Sequence, residues 1–383
     1  MDFTEVIDTI LRKKNVRTAN FRVHPDNVIH NPAANDAEHF TREETYFEIR
    51  LSQMYLRDGR EYWREFLPLA SILTEFQFNG KRRVVPTVVG PDLLKEAAQV
   101  KGSDPVEYVN TRVAGPYPYE GDDLTLFVGL FRMVTTNWAA RTLSLLESVA
   151  KVFDSTKLSS AISVADPLLE GVEGLLGMNE VEMRMGRREA YETASEAAET
   201  DASDGLLVPA YEVLLNRPEV DDEERRRFSV EGGKLYFADR AGRRPYDKTD
   251  FVLYRLQPLT RRDDYTTFEF HTVYWKKVEN HIWENREAEA RKAFQLLAVN
   301  LVECPDIVRP HRISLLRKYK QQLDDDLAEA KALFATGAPP AFRDDAGPGQ
   351  LKETDLRRAL DSVGPRGQAQ DLEPETILAE VGL

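Results

Sequence analysis

Residues 266–283 read Thr-Thr-Phe-Glu-Phe-His-Thr-Val-Tyr-Trp-Lys-Lys-Val-Glu-Asn-His-Ile-Trp, and the hydrophobic period changes inside them. Phe268, Phe270 and Tyr274 fall at even spacing, as in a strand with one packed face. From Trp275 onward, Val278, Ile282, Phe294 and Leu297 follow a helical spacing. The stretch predicts a strand over 268–275 delivered directly into a long amphipathic helix over 276–302. Pro305 separates that helix from a second one over 309–334.

Upstream, strands are predicted at 206–215, 228–230, 235–237 and 251–256, with Gly232-Gly233 turning the middle pair into a hairpin. Before them, 188–205 carries Glu189, Glu192, Glu196, Glu199, Asp201 and Asp204 among Ala, Ser and Thr. That composition predicts a mobile acidic loop. Two helices are predicted within 137–180: one from Asn137 with Leu143, Leu146, Val149 and Phe153 as its stripe, one over 158–176. A buried strand is predicted at 124–133.

Gly115-Pro116-Tyr117-Pro118-Tyr119-Glu120-Gly121 reads as a turn-rich boundary. N-terminal to it, a short helix over 2–14 precedes a strand near 20–23, a long loop over 24–41, and strands at 46–51 and 63–78. Asn79-Gly80, both tolerant of positive φ, turns the last of these into another strand at 82–89. The predicted architecture is α+β. An antiparallel β-sandwich-like domain with an N-terminal helix covers 1–118, and an α+β domain with the helical insertion 137–180 covers 119–336. From Gly337 the chain turns to linker chemistry, Ala338-Pro339-Pro340 and Gly347-Pro348-Gly349, and a flexible tail is expected over 337–383. Two short apolar groups stand out in it: Leu351, Leu356, Leu360 and Val363, then Ile377, Leu378, Val381 and Leu383.

The chain of 383 residues has 65 acids against 51 bases, a net charge of −14, which argues against a nucleic-acid role because phosphate binding needs a concentrated basic face. Arg225-Arg226-Arg227 directly follows Asp221, Asp222, Glu223 and Glu224, and reads as a self-neutralising loop. No stretch approaches about 20 uninterrupted apolar residues, so no membrane span is expected. The single cysteine, Cys304, and an acidic N-terminus place the expectation in the cytoplasm.

Signatures of local chemistry are missing: no G-x-x-x-x-G-K-[ST], G-x-S-x-G, H-E-x-x-H, C-x-x-C or calcium loop occurs. Gly171-Val172-Glu173-Gly174 lacks the Lys-Ser/Thr and the preceding strand of a phosphate loop. His24, His30 and His39 share a loop with Asp26, Asp36 and Glu38, but at spacings that match no common metal site. Asp122-Asp123 and Asp263-Asp264 read as exposed turn acids. No residue is assigned a catalytic, cofactor-binding or metal-binding role, and no cofactor is expected.

These absences lean against an enzyme. The expectation is a non-enzymatic interaction, scaffold or adaptor component of a soluble assembly with an unidentified protein partner. Its contacts are expected from Tyr55, Tyr62 and Trp63, an aromatic group interleaved with arginines, and from Leu356, Leu360, Ile377, Leu378 and Leu383 in the tail. Two alternatives remain. One is an enzyme with a dispersed active site near His271 and His281, and the other a membrane-perturbing protein acting through residues 158–178.

Overall fold

Fifteen strands occur among the described residues. They are β1 Ala19–Arg22, β2 Val28–Ile29, β3 Tyr46–Tyr55, β4 Arg60–Glu61, β5 Arg64–Phe78, β6 Lys81–Val89, β7 Val106–Pro118 and β8 Leu124–Val134. They continue as β9 Val181–Thr193, β10 Leu206–Leu207, β11 Ala210–Leu215, β12 Phe228–Glu231, β13 Lys234–Asp239, β14 Gly242–Pro245 and β15 Phe251–Leu259. A one-turn helix, α1 (Asp222–Arg225), interrupts them, and α2 (Lys276–Trp283), α3 (Glu287–Val302) and α4 (Arg309–Ala335) follow. The computed structural model describes residues 7–8, 11–12, 17–29, 33–57, 60–61, 64–89, 106–134, 181–193 and 205–335. The fold is α+β, as predicted, and the closing helices α2, α3 and α4 follow the last strand.

The chain divides into two compact units, Met1–Asp263 and Asp264–Leu383. In the first, one sheet runs β1-β11-β15-β3-β7 and a second runs β10-β9-β8-β5-β4, with β6 also on β5. The boundary expected near 118 falls between β7 of one sheet and β8 of the other, while β3 pairs with both β7 and β15. Early and late strands thus share one sheet, and the division of the chain lies at 263/264.

The two sheets enclose a common core. Ile49, Leu51 and Met54 of β3 meet Ile72 and Phe76 of β5, Leu126, Val128 and Leu130 of β8, and Tyr254 and Leu256 of β15. Phe47 and Phe76 join edge to face at 4.8 Å, a favoured aromatic geometry. Inside this core the hydroxyls of Tyr191 and Tyr254 bond each other at 2.7 Å. A third sheet, β14-β13-β12-β2, packs Phe228, Val230, Leu235 and Phe237 onto the opposite face of the first sheet, against Phe21, Val213, Leu253 and Phe251. Both hairpins read from sequence are present: Asn79 and Gly80 take φ of 53° and 66°, Gly232 and Gly233 of 57° and 77°. Positive φ at both turn positions matches the twist of the flanking strands.

Three expectations are corrected. The strand over 268–275 is helical: a 3₁₀ turn covers Asp263–Thr267 and a π-helix covers Phe270–Trp275, running into α2. Phe270 and Trp275 stand five residues apart, the π-helical hydrogen-bond spacing. Both are buried with Phe268, Val278 and Ile282 in one helical core, which satisfies the apolar pattern without a strand. Helix 276–302 is two helices. Asn285 adopts φ 57°, and the Arg286 N–H bonds back to the His281 carbonyl at 2.9 Å, a left-handed stop that closes α2. The acidic stretch from 188 begins as strand, because β9 pairs with β8 through Tyr191 and with β10 at Glu192 and Thr193.

The predicted insertion 137–180 with its 158–178 segment, residues 194–204, Tyr62, Trp63, and the tail with Leu356, Leu360, Ile377, Leu378 and Leu383 lie outside the described residues. No helix among the described residues is long and apolar enough to cross a membrane.

Candidate functional site

Three places in the fold concentrate chemistry. The first is in the second unit, where the 3₁₀ turn supplies Tyr265, the π-helix His271, and α4 His311, Lys318 and Tyr319. Tyr319 is 1% exposed, its ring against Trp275 at 4.9 Å and Phe270 at 6.4 Å. Its hydroxyl lies 2.7 Å from His271 Nδ1. Burial, with lesser contributions from Tyr265 and Glu279, holds the phenol above its ordinary pKa, so it stays protonated. Burial also pushes the His271 imidazole below its ordinary value, and the ammonium groups of Lys276 and Lys318 push in the same direction. The Tyr265 ring stands edge-on to two imidazoles, His271 at 6.3 Å and His311 at 6.1 Å, and its hydroxyl accepts from Lys318 Nζ at 2.5 Å.

His281, the second histidine of the dispersed-site alternative, sits on α2 with Nδ1 3.6 Å from the Glu284 carboxylate. It follows His271 by ten residues, on the order of 15 Å along a helix axis. The two histidines therefore occupy separate positions. Of the others, His24 caps a 3₁₀ turn by accepting from the Asp26 N–H at 3.3 Å, and His39 is exposed. Among the described residues no three His, Cys, Asp or Glu side chains are grouped to hold a metal. Cys304 packs, partly buried, against the helical core. Asp123 accepts from the Thr193 N–H at 3.1 Å, closing the end of β9. Asp221 caps α1, and Arg227 of the basic run pairs with Glu223 at 2.7 Å.

The second place is a row across four strands of the first sheet. Tyr211, Arg255, Arg50 and Arg112 stand directly opposite one another on β11, β15, β3 and β7. Three guanidinium groups abreast repel. Glu48, fully buried two residues from Arg50, offsets them by accepting from Arg50 Nε at 2.6 Å, Arg112 Nε at 2.7 Å and Gln257 Nε2 at 2.6 Å. Asp36 accepts from Arg255 at 3.1 Å. In the sequence, Glu48 and Arg50 alternate with Phe47, Ile49 and Leu51, the pattern of the polar side of a strand. The Glu-x-Arg spacing on one face was the available signal for this network, but its partners on β7 and β15 leave no local trace.

The third place is the outward face of the small sheet. Register puts Ser229, Tyr236 and Pro245 on one face, opposite the buried Phe228 and Phe237. Arg243 lies over the Tyr236 ring at 4.2 Å and is held by Ser229 at 2.9 Å and Glu231 at 2.8 Å. Val28 on β2 turns inward to the core, so Ile29 turns outward beside Glu231, and it is 60% exposed. Tyr55, expected to contact a partner, instead lies in the core at 5% exposure with its ring 5.8 Å from Phe251. The last residue of β3 points under the small sheet, where it has no access to a partner.

No protein-family model, curated protein or solved structure matches this chain.

Proposed function

We propose that this chain is a non-enzymatic interaction component of an assembly, and that it docks a protein partner on the outward face of the small sheet. The supporting observation is Ile29, at 60% exposure, on the same face as the Tyr236–Arg243 stack. An aromatic ring, an arginine and an aliphatic side chain together are the composition from which interface hot spots are built. The Arg243 guanidinium is already held over the ring by Ser229 and Glu231, so little side-chain entropy is lost when a partner covers it. The polar clusters elsewhere in the first unit serve the fold. Both Glu48 oxygens accept hydrogen bonds, and both Asp250 oxygens are engaged, by the Arg57 N–H and by Arg184 and Asn216.

Affinity purification of the tagged full chain from its native host, with quantitative mass spectrometry, tests this reading. Ile29→Asp combined with Tyr236→Ala should reduce a specific co-purifying protein at least about tenfold while leaving the thermal midpoint unchanged. Unchanged recovery of every partner would remove the face from consideration. Deleting residues 337–383 in parallel tests the tail contacts, which should weaken the same partner.

A further inference from the structure

We propose that His271, Lys318 and the Tyr265 hydroxyl form a binding site for a phosphate-type oxyanion. The Tyr319 hydroxyl is buried, and its described side-chain hydrogen bond is to His271 Nδ1 at 2.7 Å. A buried O–H that stays protonated donates to its partner, so Nδ1 accepts. In a neutral imidazole the hydrogen then sits on Nε2. The half-buried ring thus presents an N–H donor on the side away from Tyr319.

The Tyr265 ring stands edge-on to the His271 ring at 6.3 Å and brings further donors to it. Lys318 is exposed, reaches the Tyr265 hydroxyl at 2.5 Å, and retains ammonium hydrogens beyond that bond. The Tyr265 hydroxyl, accepting from Lys318, keeps its own hydrogen to give. Lys276 is exposed on the first turn of α2.

The charged groups acting on the imidazole are these two ammoniums, one from its own helical segment and one from α4. The neighbouring Tyr319 phenol stays protonated, its pKa raised by burial. Glu279, the nearby carboxylate, accepts from Trp275 Nε1 at 2.9 Å. His311 stands against the Tyr265 ring at 6.1 Å. The Lys318 ammonium, the Tyr265 hydroxyl and the His271 N–H, brought together from three elements by the Lys318–Tyr265 hydrogen bond and the Tyr265–His271 ring contact, match an oxyanion with several acceptor oxygens. A bound anion would also favour the imidazolium, so binding takes up a proton at His271.

The test uses the full chain and inorganic phosphate. The six histidines make the imidazole C2–H resonances separable by NMR, with His271→Gln assigning the relevant one. Phosphate added at pH 7 should shift the His271 resonance saturably and raise its midpoint of titration, whereas sodium chloride at equal ionic strength should not. Lys318→Gln, a substitution at an exposed position that should leave the circular dichroism spectrum unchanged, should weaken binding about tenfold. A His271 resonance indifferent to phosphate, an equal response to chloride, or undiminished binding in Lys318→Gln would overturn the proposal.

Discussion

Glu48 and Gln257 lie 209 residues apart in the chain and 2.6 Å apart across neighbouring strands, the amide donating to a carboxylate that is fully buried. The amide orientation follows from chemistry, because a carboxylate that accepts from two guanidiniums can only accept again. This carboxylate neutralises the arginine row of the first sheet.

Replacing Glu48 with Ala should therefore destabilise the protein by about 3 kcal/mol. Arg50 and Arg112 keep 21% and 39% side-chain exposure, so water relieves part of the uncompensated charge. Urea denaturation of the Glu48→Ala variant checks this, and a loss below about 1 kcal/mol would show the network to be dispensable.

The Tyr191–Tyr254 pair predicts non-additivity. Tyr254→Phe removes one hydroxyl and strands the other inside the sandwich core, which should cost about 1–3 kcal/mol. Adding Tyr191→Phe removes the stranded group, so the double variant should be no less stable than the single one. A strictly additive cycle would contradict the pairing.

His271 predicts a pH dependence with a defined sign. Its native pKa lies below the ordinary 6.5, so in the window between the two values the unfolded chain binds more protons than the folded one. Stability from this group is complete above about pH 6.5 and falls as acid protonates the folded imidazole. Thermal midpoints across this range should show a smaller decline in His271→Gln than in the parent. Equal declines would assign the acid sensitivity elsewhere.

Asn285 predicts a backbone effect free of packing, since the residue is exposed at φ 57°. Asn285→Gly should be neutral or slightly stabilising, and Asn285→Ala should cost about 1 kcal/mol, because a β-carbon is unfavourable in the left-handed region. Chemical denaturation of the two variants decides it, and equal stabilities would speak against the left-handed stop.

Features carried by contiguous residues were legible from the outset. The Asn79-Gly80 and Gly232-Gly233 turns, the apolar runs of β5, β8 and β15, the extent of α4 and the α+β class follow from positive-φ tolerance and from periods of 2 and 3.6. Failures came where one pattern admits two geometries. The Phe268, Phe270 and Tyr274 spacing suits a strand, whereas the helical path buries Phe268, Phe270 and Trp275 together. β9 was missed because its buried Met183, Met185 and Tyr191 alternate with charges in a composition that reads as loop.

By itself, then, the amino-acid sequence determined where the chain turns and which short segments can bury one face, since those depend on torsions and side chains a few residues apart. Tertiary structure alone decided that β3 lies between β7 and β15, that Glu48 meets Arg112 across 64 residues, and that the Tyr319 hydroxyl finds His271 across 48. Those pairings are settled by hydrogen-bond satisfaction and charge compensation between distant segments, and these leave no period in the chain.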